Sequence, residues 1–168
     1  KMSLNIVFMG TSEFSVPTLD SLVEGNYNIV KVYTQPPKKS KRGLKINPSP
    51  VEKFCKDKKI SFDNPANLNT DKELEKMNKI SPDLVIVVAY GQIIPKNFLS
   101  ISKFGFINIH ASLLPKWRGA APIQRAIMNS DEKIGVSIMK IEEKLDSGPV
   151  LVSKEIEIDK NAIHGEIE

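Results

Sequence analysis

The amino-acid sequence predicts an α/β fold, a Rossmann-like, mostly parallel twisted sheet with helices on both faces. Two short apolar runs, 4–9 and 84–89, each lead into a turn that contains glycine, which is typical of buried parallel strands. Between them, segments with helix start signals alternate with strand-like segments. Because crossovers are right-handed, this order brings the strand ends at Gly10, Tyr90–Gly91 and His110 to one rim, where such sheets bind ligands.

Each element has a local signal. A helix from Pro17 is expected to end at Gly25. Ser49 followed by Pro50 opens a helix to about residue 59, and Thr70, with Glu73 three residues later, forms a capping box that opens a helix to Ile80. We predict strands at 4–9, 29–34, 60–62, 83–89, 106–110, 135–140 and 150–158, a helix at 122–129, one helical turn within 92–99 and a loop at 35–48.

Composition limits the classes of function. A chain of 168 residues is long enough for one domain that buries about 70% of its unfolded surface. No apolar run is long enough to cross a bilayer and none reads as a signal peptide, so we expect a cytoplasmic monomer without a membrane segment. The single cysteine, Cys55, is expected to be a small residue on a helix that packs into the core of the protein. With two histidines and no Cys-x-x-Cys, no metal site is predicted.

The strand at 106–110 carries the clearest site candidate. A period of two sends Asn108 and His110 to one face, at the carboxyl end of the strand. By spacing alone, the solvent face of an edge strand is an equally good interpretation.

The surrounding motif resolves this choice. Asn-Ile-His-Ala-Ser-Leu-Leu-Pro at 108–115 and Trp-Arg-Gly-Ala-Ala-Pro-Ile-Gln-Arg at 117–125 resemble the signature of the folate-dependent formyltransferases, and most closely their methionyl-tRNA branch. The resemblance covers 4–158. It implies an enzyme of translation initiation that transfers a formyl group from 10-formyltetrahydrofolate to initiator methionyl-tRNA. Glycinamide ribonucleotide or an amino-sugar nucleotide as acceptor, or a folate- or tRNA-binding fragment without efficient turnover, are the alternatives.

The resemblance also implies roles for three residues. Asn108 would bind the formyl oxygen, His110 would stabilise the oxyanion and transfer protons, and Asp146 would position them and relay protons through water. Asp146 lies in Leu-Asp-Ser-Gly, close to the family's Leu-Asp-Thr-Gly. Considered without the resemblance, Asp146 is better interpreted as a turn-capping residue.

Two further segments are implied by the resemblance. Those expected to contact folate are Ser112, Leu113, Leu114 and Pro115, together with Tyr90, Gly91 and Gln92. Relatives also carry a C-terminal β-barrel domain that helps to hold tRNA. We therefore expect 1–168 to be the catalytic domain, truncated near its C-terminal end and without that barrel.

A basic loop is the candidate tRNA contact. Five basic residues fall within 38–45, and those assigned to tRNA are Lys38, Lys39, Lys41 and Arg42. Positive charge on a proline-rich loop suits a phosphate backbone. The net charge is only +4, and by composition alone a merely solvated loop is the better interpretation.

Overall fold

The computed structural model describes residues 4–39 and 46–157, and the chain packs as two compact units, Lys1–Phe106 and Ile107–Glu168. Within the described ranges, no helix combines the length and apolar character needed to cross a bilayer.

The first unit is built on four parallel strands. They are β1 (Asn5–Gly10), β2 (Asn28–Tyr33), β5 (Phe62–Asp63) and β6 (Leu84–Val88), in the order β5-β2-β1-β6. The interior of β1 is fully buried, as its continuous apolar run predicts for a central parallel strand. The strands predicted at 4–9, 29–34 and 83–89 are confirmed to within one residue at each end, and the short strand predicted at 60–62 starts at residue 62.

Three helices connect these strands. They are α1 (Val16–Glu24), α2 (Pro50–Lys58) and α3 (Asp71–Ile80). Successive right-handed crossovers from β1 to β2 to β5 place α1 and α2 on one face, where they contact each other, and the return crossover to β6 places α3 on the other. Helices on both faces of a parallel sheet were predicted from the sequence.

The helix ends follow the predicted capping. The Ser49 side chain accepts a hydrogen bond from the Glu52 N–H at 3.0 Å, and the Thr70 side chain accepts one from the Glu73 N–H at 3.3 Å. Gly25 caps α1. The helical turn expected within 92–99 is a 3-10 turn at Lys96–Phe98, and a second one at Glu13–Ser15 was not predicted.

The segment predicted as a loop contains a short hairpin. Strand β3 (Lys38–Lys39) pairs antiparallel with β4 (Ile46–Asn47), on either side of residues 40–45, which lie outside the described residues.

The second unit contains β7 (Phe106–His110), α4 (Pro122–Met128), β8 (Lys133–Lys140) and β9 (Val150–Glu157). The first residue of β7, Phe106, is assigned to the first unit. All elements exist as predicted, but β8 is antiparallel to both β7 and β9, whereas alternation of strand and helix suggested parallel pairing. The seven residues of α4 rise about 10 Å and do not return the chain to the start of β7. Strand β8 therefore enters beside the end of β7.

The core of the first unit contains both aliphatic and aromatic side chains. Val7, Phe8 and Leu19 are fully buried. Cys55 on α2 is fully buried as well, which confirms the prediction that it is a core residue located on a helix. Burial, with a smaller effect of the Glu52 carboxylate, raises the pKa of the Cys55 thiol to about 11.

An ion-pair network joins the sheet edge to α3. Lys31 and Lys76 contact the two carboxylate oxygens of Asp63 at 2.9 and 3.2 Å. Burial alone would raise the pKa of Asp63, but the hydrogen bonds and charges of the two lysines lower it below its ordinary value.

We expect Asp63→Asn to lower the free energy of unfolding by about 1–2 kcal/mol at pH 7. Because the folded-state pKa is lowered, the stabilisation is complete above the unfolded pKa of about 3.9 and is lost as pH falls through the folded value. Urea unfolding across this range should therefore show the two proteins converging at low pH. Asp57→Asn, at an exposed position on α2, is the control, and a constant difference at every pH would contradict the prediction.

Candidate functional site

Asn108 and His110 share a face of β7, as predicted. In the register of β7 with β8, Asn108 lies opposite Met139 and His110 lies opposite Ser137. The Asn108 side chain is half-buried, and within the described parts of the chain its carboxamide has no hydrogen-bond partner. It is therefore available to a ligand.

The His110 ring is held by a backbone carbonyl. Its residue is 8% exposed, and its Nε2 lies 3.0 Å from the Trp117 oxygen. Because a carbonyl oxygen only accepts, Nε2 carries the proton in this bond. In the neutral imidazole, Nδ1 is then the unprotonated nitrogen and can accept a proton.

Asp146 also binds the segment that follows β7. Its Oδ2 accepts a hydrogen bond from the Gly119 N–H at 2.7 Å, 27 residues away in sequence. The turn around Asp146 is closed instead by Ser147, whose hydroxyl donates to the Lys144 carbonyl at 2.8 Å. The turn-capping interpretation of Asp146 is therefore not what the geometry supports.

The residues Trp117–Gly119, which we call the bridge segment, accept a hydrogen bond from one titratable group and donate one to the other. His110 binds its first residue and Asp146 binds its last, and within the described residues the two side chains share no direct hydrogen bond. Trp117 has a φ of 57° and Gly119 one of 85°. The left-handed conformation is unfavourable for tryptophan, so contacts elsewhere must hold it.

The Trp117 indole supplies one such contact. Its Nε1–H donates to Asp131 Oδ2 at 2.7 Å, and Asn129 donates to Oδ1 of the same carboxylate at 2.7 Å. Hydrogen bonds from Asn129 and Trp117, opposed by burial and assisted by Lys116, lower the pKa of Asp131. The Asp131 side chain is only 8% exposed.

Ser137 fixes the predicted folate segment 112–115. Its hydroxyl donates to the Ser112 carbonyl at 2.7 Å and accepts from the Leu114 N–H at 3.1 Å, and it lies 3.0 Å from the Ser153 hydroxyl. The Ser112 hydroxyl in turn donates to the Lys116 carbonyl at 2.7 Å. Sequence analysis missed Ser137, because its hydrogen-bond partners lie 16 to 25 residues away in the sequence.

The apolar residues of this segment differ in exposure. The Leu113 side chain packs on Gly135, where an added Cβ would lie 2.5 Å from Leu113 Cδ2 and 2.2 Å from the Lys154 carbonyl. Leu114 is half-buried and Pro115 is exposed, and the peptide bond between them is cis.

In the first unit, Tyr90–Gln92 follows β6. The Thr11 hydroxyl donates to the Tyr90 carbonyl at 2.7 Å, so the ends of β1 and β6 meet at one rim, as predicted. Gly91 has a φ of 84°, and a Cβ there would lie 2.3 Å from Gln35 Nε2. The Gln92 amide binds the Leu68 N–H and the Pro65 carbonyl, each at 2.9 Å, and is therefore occupied within the protein.

The basic residues are only partly described. The backbone of Lys38 and Lys39 forms β3, whereas Lys41 and Arg42 lie outside the described residues. Within 4–39 and 46–157, no group of three or more His, Cys, Asp or Glu side chains is arranged to hold a metal ion.

Comparison with known sequences gives consistent results. Residues 4–168 match the profile of a family described as formyl transferase. The methionyl-tRNA formyltransferase of Pelagibacter ubique is 63% identical over 150 residues, which are 89% of this chain and 48% of the relative. That of Bartonella henselae is 47% identical over 167 residues, 99% of this chain and 54% of the relative. The chain spans about half the length of these curated relatives.

Solved structures share the fold at low identity. A phosphoribosylglycinamide formyltransferase from Bacillus halodurans is 17% identical with a TM-score of 0.78, covering 96% of this chain and 84% of that one. A formyltetrahydrofolate deformylase from Pseudomonas syringae is 18% identical with a TM-score of 0.75, covering 99% and 55%. The predicted Rossmann-like α/β class is confirmed.

We expect Ser137→Ala to lower the free energy of unfolding by about 1–3 kcal/mol, because it leaves buried partners of the hydroxyl unsatisfied. Ser137→Thr, which keeps the hydroxyl, should retain more of the stability. Denaturant unfolding measures both, with Ser147→Ala on the exposed turn hydrogen bond as the control. Equal stability of wild type and Ser137→Ala would show that the hydroxyl does not hold the segment.

Proposed function

Because the chain belongs to the formyl transferase family, we propose that it transfers a formyl group from 10-formyltetrahydrofolate to the amino group of initiator methionyl-tRNA. The observation that carries this proposal is the geometry at the end of β7, where His110 and Asp146 bind one three-residue segment and Asn108 keeps its carboxamide available. The identity to methionyl-tRNA formyltransferases supports the choice of acceptor.

The proposed reaction is a substitution at the formyl carbon. The amine nitrogen bonds to this carbon, negative charge develops on the formyl oxygen, and the bond from the carbon to the folate nitrogen N10 then breaks. The amine loses one proton and the folate nitrogen gains one. Catalysis therefore needs hydrogen-bond donors for the oxyanion and a group that carries a proton between the nitrogens.

The three side chains suit these needs. The Asn108 carboxamide would donate to the formyl oxygen. His110, with its Nε2–H bound to Trp117, would accept the amine proton at Nδ1. The protonated imidazole would stabilise the oxyanion and would then donate this proton to the leaving nitrogen. Asp146 would position the group through Gly119 and relay protons through water at Oδ1, which has no hydrogen-bond partner among the described residues.

Residues 112–115 are proposed to hold the folate. Their fit is supported by a backbone already fixed by Ser137, so that little ordering remains to be done on binding. Leu114 and Pro115 would offer the apolar surface, because Leu113 is engaged with Gly135. Tyr90 and Gly91 keep their assignment to folate as a prediction. Gln92 could contribute only through its backbone, because its amide is occupied.

The decisive experiment measures formyl transfer from 10-formyltetrahydrofolate to methionyl-tRNA, glycinamide ribonucleotide and an amino-sugar nucleotide. Transfer to methionyl-tRNA alone is expected. Transfer to either other acceptor would reassign the substrate, and folate binding without transfer to any of the three would leave a binding fragment.

We expect His110→Ala and Asn108→Ala each to lower kcat by about a hundredfold or more, because each removes a group that acts on the transition state. Asp146→Asn should behave similarly. Folate affinity should change far less, as measured by equilibrium titration. Asn78→Ala, at an exposed position on α3, is the control. A catalytic variant that keeps half of the wild-type kcat would remove that residue from the mechanism.

Removal of charge at Lys38, Lys39, Lys41 and Arg42 is expected to weaken tRNA binding and to flatten its dependence on salt, by about one unit of slope for each lost phosphate contact. Folate affinity should stay unchanged. Lys79→Gln on α3 is the control for the loss of a single positive charge at an exposed site. An unaltered slope would support the interpretation of a solvated loop.

A further inference from the structure

Trp117 is hydrogen-bonded both to a largely buried carboxylate and to the proposed proton carrier. Its carbonyl accepts the His110 Nε2–H at 3.0 Å, and its indole Nε1–H donates to Asp131 Oδ2 at 2.7 Å. One residue thus receives a hydrogen bond from His110 and makes one to Asp131. A rotation of its peptide would move the carbonyl away from His110.

The Trp117 backbone needs this second bond. A non-glycine residue in the left-handed region is unfavourable by roughly 1–2 kcal/mol, so the observed φ of 57° persists only if other contacts outweigh that cost. Among the described residues, the indole bond to this charged and largely buried carboxylate is the side-chain hydrogen bond that Trp117 makes, and bonds to ionised groups are stronger than neutral ones.

Asp131 is itself held in place from the other side. Asn129 donates to its Oδ1 at 2.7 Å, and Lys116 Nζ lies 3.8 Å from the same oxygen. Asp131 therefore presents Oδ2 to the indole in a fixed direction. Asp131 lies just after α4 and outside the two signature segments at 108–115 and 117–125.

We infer that Asp131 is a positioning residue for His110, acting through Trp117: its carboxylate fixes the indole, the indole fixes the left-handed peptide, and the carbonyl of that peptide fixes the Nε2–H tautomer and the orientation of the imidazole. This inference rests on the proposed function for its catalytic consequence only. The hydrogen-bond chain itself can be tested without turnover.

The kinetic test uses Trp117→Phe, which removes the indole donor but keeps an aromatic ring, Asp131→Ala, which removes the acceptor, and the double variant. Each single change is expected to lower kcat about tenfold with the KM for folate unchanged, and the double variant should lose no more than either single one, because both break the same bond. Lys116→Gln, which removes the longer and exposed contact to Asp131, should stay near wild type. Wild-type kcat in the single variants, or a hundredfold loss in the double variant, would overturn the inference.

The second test does not depend on activity. The sequence has two histidines, so His164→Gln leaves His110 as the only source of imidazole NMR signals. In this background the His110 Nε2 proton should exchange slowly with solvent, and it should exchange at least tenfold faster in Trp117→Phe and in Asp131→Ala. Unchanged exchange would refute the positioning role. Absence of formyl transfer by wild type to any acceptor would refute the proposed function, and the NMR result would still decide the inference.

Discussion

The second unit depends on one buried hydroxyl. Ser137 is 0% exposed and bonds the carbonyl of Ser112, the N–H of Leu114 and the hydroxyl of Ser153. A segment that leaves a strand loses the partners of its backbone groups, and a buried segment cannot recover them from water. Ser137 supplies two of these partners at once, and so the chain can turn sharply away from β7 while remaining ordered.

Backbone conformations that are unfavourable for non-glycine residues recur further along the chain. Trp117, Ala121 and Asp146 all have positive φ, although none is glycine. Such conformations are found where surrounding contacts over-determine them, and they direct polar groups in ways that a relaxed chain would not. Here a carbonyl and an N–H two residues apart point to His110 and Asp146. The arrangement of the candidate site thus depends on backbone geometry as much as on side chains.

Much of the fold could be read from the sequence because its signals are local. Apolar runs defined the strands, and the capping at Ser49 and Thr70 defined helix starts to within a residue. A strict period of two placed Asn108 and His110 on one face. The roles of Ser137 and Asp131 were not predictable in this way, since each arises from a contact between residues 14 to 25 positions apart. The direction of β8 was also missed, because it depends on how far α4 carries the chain.

The reactivity of the Cys55 thiol can report how often α2 detaches from the sheet of the first unit. It is the single thiol in the sequence, lies fully buried on α2, and has its pKa raised to about 11, so that almost none of it is thiolate at neutral pH. Disulfide reagents attack the thiolate and need access to it. A disulfide reagent therefore labels Cys55 only in molecules in which α2 has detached from the sheet. The rate of labelling gives the free energy of that opening in an otherwise unmodified chain.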